Sequence, residues 1–162
     1  MKHILPIITI TTLAAAASAQ TAAAPAGLSY NRVTVSRQGQ NTNLSASALL
    51  GSSNVLATIG SSTAGTSYAL GYVFKNVAAG IDATVAVSSD DTYGIILRRS
   101  LNEVIAGLEA RLVYARSEGS VSTDGFTYEL AYNINKQFSV AYGITDVAAG
   151  SNLKTVSVRY NF

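Results

Sequence analysis

Residues 153–162 read Leu-Lys-Thr-Val-Ser-Val-Arg-Tyr-Asn-Phe and form the end of the chain. Apolar and polar residues alternate in this stretch, and alternation with a period of two is typical of a β-strand that has one apolar face. Chain ends usually fray into water, but here the final aromatic residue completes the apolar face. The stretch therefore predicts a strand that continues to the C-terminus, with four residues on its apolar face: Val156, Val158, Tyr160 and Phe162.

A closing strand of this kind, ending in Phe162, resembles the C-terminal signature of bacterial outer-membrane β-barrels, in particular the small porin-like and OmpX/OmpA-type barrels. The sequence Gly27-Leu28-Ser29-Tyr30-Asn31 also resembles the opening of the first strand in such barrels. The resemblance implies that the chain is exported, and that Val156, Val158, Tyr160 and Phe162 form an assembly signal for the outer-membrane assembly machinery.

The N-terminus has the pattern of an export signal. Lys2 and His3 precede an apolar segment that extends from residue 4 to about residue 16, and Ala17-Ser18-Ala19 is a small-residue cleavage site. A transmembrane anchor is the alternative, but the segment is shorter than the roughly 20 apolar residues that a spanning helix needs. We predict a signal peptide over residues 1–19, a flexible lead over 20–27 and a barrel domain over 28–162.

The barrel domain divides into ten alternating runs separated by turn residues. Because no run has the length or apolarity of a spanning helix, a membrane interpretation requires a closed antiparallel barrel with no unpaired edge. Strand number in such barrels is even, so the alternative is eight strands, with the third and sixth runs as loops. The ten runs are 28–37, 42–50, 55–62, 66–74, 81–89, 92–99, 104–116, 126–134, 138–145 and 153–162.

Aromatic residues cluster toward the ends of the even-numbered runs. If the C-terminus is periplasmic, these runs all descend, and their last apolar residues form an aromatic girdle at the periplasmic interface. A secreted soluble β-barrel or β-sandwich that binds a ligand has the same alternation with its faces exchanged. The apolar residues of three even runs are Tyr68, Leu70, Tyr72 and Phe74; Tyr128, Leu130, Tyr132 and Ile134; and Val156, Val158, Tyr160 and Phe162.

In the last strand, the residues that alternate with the apolar face point into the lumen. The same alternation along the other runs assigns a set of charged residues to the lumen. Arg32 belongs to the set only if a bulge near Asn31 shifts the first run by one residue. Buried charges persist when they are paired, so we expect Glu109 and Glu129 to share Arg111, and Arg98 and Arg159 to meet Asp82. The predicted lumen charge network is Arg32, Asp82, Arg98, Glu109, Arg111, Glu129 and Arg159.

A second set of cations points outward near the extracellular ends of the runs. Arg37, Arg116 and Lys154 form a predicted lipopolysaccharide rim, since phosphates bind such cations. Ordinary snorkelling of the side chains to the interface is the alternative.

Composition argues against several other functions. The chain has 12% charged residues and a formal net charge of +2 without a basic cluster, so nucleic acid is not expected as a partner. It has no cysteine, and its single histidine, His3, lies in the predicted signal peptide. Serine hydrolases of outer-membrane barrels depend on histidine. We therefore predict no catalytic residue, no metal site and no cofactor.

The sequence thus favours a small, monomeric outer-membrane barrel in contact with outer-membrane lipid and lipopolysaccharide. A structural or surface-interaction role with a lumen largely filled by side chains is the first hypothesis. A narrow diffusion pore with a charged constriction is the second.

Overall fold

The computed structural model describes residues 28–118, 122–147 and 152–162, so the predicted signal peptide and flexible lead lie outside the described residues. The predicted all-β class and the ten strands are confirmed. No helix in the described ranges is long and apolar enough to cross a membrane. The strands are β1 (Arg32–Gln38), β2 (Asn41–Leu49), β3 (Val55–Ser62), β4 (Gly65–Ala78), β5 (Ile81–Ser88), β6 (Thr92–Ser100), β7 (Leu108–Glu118), β8 (Ser122–Asn133), β9 (Phe138–Val147) and β10 (Leu153–Asn161).

The sheet closes on itself. Each strand pairs in antiparallel fashion with its neighbours in sequence, and β1 pairs with β10 from Arg32 opposite Asn161 to Gln38 opposite Thr155. Because each strand has two partners, no strand in the described ranges presents a row of unpaired backbone groups. The eight-strand alternative is wrong, since β3 and β6 are each paired with both neighbours.

The strand boundaries differ from the predicted runs by four residues at the starts of β1, β7 and β8 and at the end of β4. β1 begins at Arg32 and pairs with both neighbours without a register shift, so the bulge expected near Asn31 is not found. Val33 and Val35 lie on the outer face without a bulge, because they are paired with Tyr160 and Val158 of β10. β7 begins at Leu108 because residues 101–107 form a turn.

The register irregularity lies instead in β4, between Phe74 and Ala78. Asn76 has a positive φ of 50°, and its backbone N–H donates to Asp82 Oδ1 at 2.8 Å. The strand then turns through Ala79 and Gly80, both with positive φ, as a two-residue type I′ hairpin requires. Asp82 therefore fixes the end of β4 from the neighbouring strand.

The barrel has two ends, which we name by the chain termini. The terminal end carries Leu28 and Phe162 together with the turns at 50–54, 79–80, 101–107 and 134–137. The distal end carries the turns at 39–40, 63–64 and 89–91.

The outer face of the barrel is apolar. Leu130, in the middle of an outward row between Tyr128 and Tyr132, is 55% exposed. On β10, Val156 and Val158 are likewise exposed. A soluble β-barrel would bury these side chains inside, so the placement of the faces contradicts the soluble alternative.

Aromatic side chains lie on the outer face at two levels. At the terminal end, Phe138 contacts Tyr160 with ring centroids 5.3 Å apart, and Tyr160 lies 6.4 Å from Phe162. At the distal end, Tyr114 lies 5.1 Å from Phe126. Two levels of aromatic side chains are expected at the two membrane–water interfaces, where amphipathic aromatic rings are favoured.

Candidate functional site in the lumen

The inward face of the barrel surrounds a cavity of about 340 Å³. Its wall is polar where β1, β2 and β10 meet, because alternate residues of these strands carry hydroxyl groups that turn away from the apolar outer face. Arg32, Arg98, Arg111 and Arg159 also border the cavity, together with Glu129. The hydroxyl side chains that β1, β2 and β10 contribute to the wall are Thr34, Ser36, Ser45, Ser47, Thr155 and Ser157.

Two of the predicted lumen charges form a buried ion pair near the terminal end. Arg98 on β6 donates from Nε to Glu109 Oε1 on β7 at 2.8 Å, and the two residues are 3% and 5% exposed. Arg98 lies directly opposite Arg111 in the sheet, and Glu109 is two residues along from Arg111. Residues that lie directly opposite each other here carry like charges, so the diagonal contact of Arg98 with Glu109 is the one that brings opposite charges together.

A second cluster joins three strands. Glu129 on β8 forms an ion pair with Arg159 on β10, and Arg111 Nη1 lies 3.6 Å from Glu129 Oε1. β9 lies between β8 and β10 and contributes the small residues Ser139, Ala141 and Gly143 to the inward face. Because these side chains are short, Glu129 and Arg159 can meet across β9.

The pairing differs from the expected one. Glu109 pairs with Arg98 and not with Arg111, and Arg159 pairs with Glu129 and not with Asp82. The expectation for Glu109 relied on its place beside Arg111, whereas a long arginine side chain also reaches a diagonal partner on the adjacent strand, as Arg98 does, or a partner two strands away, as Arg159 does. Arg111 and Glu129 do face each other in register.

Asp82 pairs instead with Tyr30, a residue that the sequence analysis did not include in the lumen. The Tyr30 hydroxyl donates to Asp82 Oδ2 at 2.5 Å, and the Arg98 guanidinium carbon lies 4.6 Å from the ring centroid. Burial, followed by the hydrogen bond to Asp82, raises the pKa of the Tyr30 phenol, so it remains a donor. Alternation within the predicted run 28–37 could have located this side chain, since Tyr30 alternates in step with Arg32 and Thr34, which also border the cavity. The expected bulge near Asn31, which the structure does not contain, separated Tyr30 from them.

The lumen contains an excess of positive charge. Four arginines face three carboxylates, those of Asp82, Glu109 and Glu129. Among the residues that the structure describes, Arg32 has no ion pair and no side-chain hydrogen bond. The Nε groups of Arg111 and Arg159 are buried without a hydrogen-bond acceptor in the described part of the chain. These two Nε groups are enclosed by protein, whereas Arg32 borders the cavity and has donors available for an anion there.

The predicted rim cations lie on the outer face near the distal end but do not form one cluster. Arg37 donates from Nε to the carbonyl of Gly39 at 3.1 Å, and Lys154 lies on the adjacent strand β10. Arg116 is separate on β7, where it lies opposite Tyr93 and Asp124. The residues of the predicted assembly signal lie on the outer face of β10 and at its end.

Comparison with known proteins adds a fold assignment. No protein-family model matches the chain, and no curated protein matches it. A KdgM porin superposes with a TM-score of 0.53 and 12% identity, covering 82% of this chain and 98% of the porin. A KdgM porin in complex with disordered oligogalacturonate gives a TM-score of 0.51 and 13% identity, with 82% and 98% covered. A NanC porin in a rhombohedral crystal form gives 0.47 and 11%, with 82% and 98% covered. The chain therefore has the closed antiparallel β-barrel fold of the KdgM porin.

Proposed function

We propose that this protein is a narrow pore of the bacterial outer membrane that prefers anions. The observation that carries the proposal is the set of four arginines around the cavity, with Arg32 unpaired among the described residues. A charge in a narrow, low-dielectric lumen acts on a passing ion more strongly than a charge in open water. The excess of one positive charge over the three carboxylates therefore favours the entry of anions.

The chemistry of the wall suggests which anions fit. Hydroxyl groups from β1, β2 and β10 can exchange hydrogen bonds with a hydrated solute, and arginine binds carboxylates in a forked geometry. One KdgM porin structure contains oligogalacturonate, which is an acidic carbohydrate. We propose small carboxylated solutes as the substrate class for this lumen.

Replacement of Arg111 tests the selectivity. Its side chain is 23% exposed and reaches the cavity, so Arg111→Ala is expected to lower the preference for chloride over potassium by at least about tenfold. At an effective dielectric constant near 20, a unit charge about 10 Å away changes the energy of each ion by about 1.7 kcal/mol, in opposite directions for chloride and potassium. The measurement is the reversal potential of the refolded protein in planar bilayers under a salt gradient.

Arg99→Ala serves as the matched control, because Arg99 is exposed on the outer face of the same region and pairs there with Glu103 at 2.8 Å. It is expected to leave the reversal potential unchanged. A wild-type pore that prefers cations, or an Arg111→Ala pore with wild-type selectivity, would contradict the proposal.

A barrel without a continuous passage is the second candidate. It is favoured by the packing at the terminal end, where Val73 and Thr84 are fully buried and Tyr30 is 7% exposed. Insertion into bilayers without discrete current steps would favour this candidate, and its function would then be a structural or surface-interaction role.

Outer-membrane residence forms part of the same proposal. The apolar outer face, the two levels of aromatic rings and the fold shared with a porin support it. The periplasm is then at the terminal end. We further propose lipopolysaccharide as a partner of Arg37, Arg116 and Lys154, and a monomeric state.

Deletion of Phe162 tests recognition by the assembly machinery. The deletion is expected to leave export intact and to abolish assembly, because it removes the terminal aromatic that neighbours Tyr160 and the N–H that donates to the Asn31 carbonyl at 3.1 Å. Cell fractionation and heat-dependent gel mobility measure the result. Phe162→Tyr retains both features and is expected to assemble. Normal assembly of the truncated chain would refute the role of the C-terminal signal.

A further inference from the structure

The four residues before β1 form a segment that enters the terminal end of the lumen. Residues 28–30 have no strand partner, yet Tyr30 is 7% exposed and borders the cavity. The Tyr30 ring lies where the cavity meets the terminal end of the barrel, because the segment extends from the start of β1 at that end. We call residues 28–30 the N-terminal latch.

The latch is attached to the wall at both ends of Tyr30. Its hydroxyl donates to Asp82 on β5, and its carbonyl accepts a hydrogen bond from Ser47 Oγ on β2 at 2.8 Å. Arg98 lies over the ring and is itself held by Glu109. Tyr30 therefore links the β1–β2 side of the lumen to the β5–β6 side.

The next residue is fixed more firmly and provides a pivot. Asn31 Oδ1 accepts the backbone N–H of Leu49 at 2.9 Å, and the Asn31 carbonyl accepts the N–H of Phe162 at 3.1 Å. The ladder of β1 starts directly afterwards, at Arg32. Withdrawal of the latch would consequently break the contacts of Tyr30 without breaking any pairing of the barrel.

We propose that the N-terminal latch gates the pore, with Tyr30 as the side chain that closes it. The proposal rests on the pore function proposed above. In the closed state the Tyr30 ring occupies the terminal end of the lumen, with its hydroxyl on Asp82 and Arg98 over its face. In the open state the latch turns about Asn31 toward the terminal end, and the cavity becomes continuous with the solution there. Opening leaves the arginines of the cavity in place, so selectivity and gating are separate properties.

The test compares wild-type protein, Tyr30→Ala and Tyr30→Phe by single-channel recording after refolding of the mature chain. Tyr30→Ala removes the closing ring and is expected to raise the mean current per inserted barrel. Tyr30→Phe retains the ring but loses the hydroxyl, so its closed intervals are expected to be about tenfold shorter, the factor that corresponds to one hydrogen bond to a charged group. Tyr132→Ala, an outward aromatic at the same end, is the control and should behave as wild type.

The outcomes separate the gate from the pore. A silent or rarely open wild-type barrel that conducts after Tyr30→Ala supports both. Wild-type currents that neither substitution changes would overturn the gate and leave the pore. Insertion without current for all the variants would overturn the pore, and the gate with it. If Tyr30→Ala fails to refold, Tyr30→Phe decides alone, and closed intervals of wild-type length would then overturn the gate.

Discussion

Replacing Glu129 with alanine is expected to lower the free energy of unfolding by about 3–5 kcal/mol, the usual cost of breaking a buried ion pair by removing one partner. Glu129 and Arg159 have side chains that are 9% and 3% exposed, and Glu129 is also the nearest carboxylate to Arg111. The substitution leaves both guanidinium groups inside the barrel without a counter-charge. Most of the loss therefore reflects the uncompensated charge that remains.

Glu103→Ala is the matched control within the same chain. Glu103 also pairs with an arginine, but the side chains of Arg99 and Glu103 are 44% and 53% exposed. Exposed pairs contribute about 0–1 kcal/mol. Reversible urea unfolding in lipid vesicles measures both variants by circular dichroism, since the chain has no tryptophan. Equal losses for Glu129→Ala and Glu103→Ala would show that the lumen network does not stabilise the barrel.

The substitution Leu130→Arg is expected to destabilise the barrel in a bilayer by up to about 2–4 kcal/mol, the range for a cation on the lipid-facing surface near the bilayer midplane. Leu130 lies on the outer face of β8, beside Ala110 of β7 and Tyr142 of β9. In an aqueous environment the same change at an exposed position would alter stability by no more than about 0.5 kcal/mol. The substitution thus measures whether this face contacts lipid.

The control for Leu130→Arg is Gln40→Arg in the exposed turn between β1 and β2, where the added cation stays in water. Unfolding of both variants is measured in vesicles of the same lipid. A Leu130→Arg barrel as stable as the Gln40→Arg barrel would contradict a membrane-spanning role for β8.

The local sequence pattern was sufficient to predict the strands, because alternation with a period of two can be recognised without knowing which strands pair with each other. In β10, Val156 and Val158 could be assigned to one face and Ser157 and Arg159 to the other from sequence alone. The same reasoning predicted ten strands, since each alternating run is ended by turn residues such as those at 39–40 and 79–80.

Alternation along the strands could propose which charged residues face the lumen, but it could not determine their partners. Arg98 pairs diagonally with Glu109, and Arg159 reaches Glu129 across β9. These contacts depend on the stagger between strands and on the space above Ser139, Ala141 and Gly143. The stagger and this space are determined only when the sheet closes into a barrel.

The sequence by itself determined the ten strands and their apolar outer face, because alternation along each strand specifies these features locally. The tertiary structure alone decided the ion pairs, the start of β1 at Arg32 and the contact of Tyr30 with Asp82. Tyr30 lies beside Asp82, which is 52 residues away in sequence. Such a contact arises from closure of the sheet, which brings the segment before β1 and the β5 strand to opposite sides of one narrow cavity.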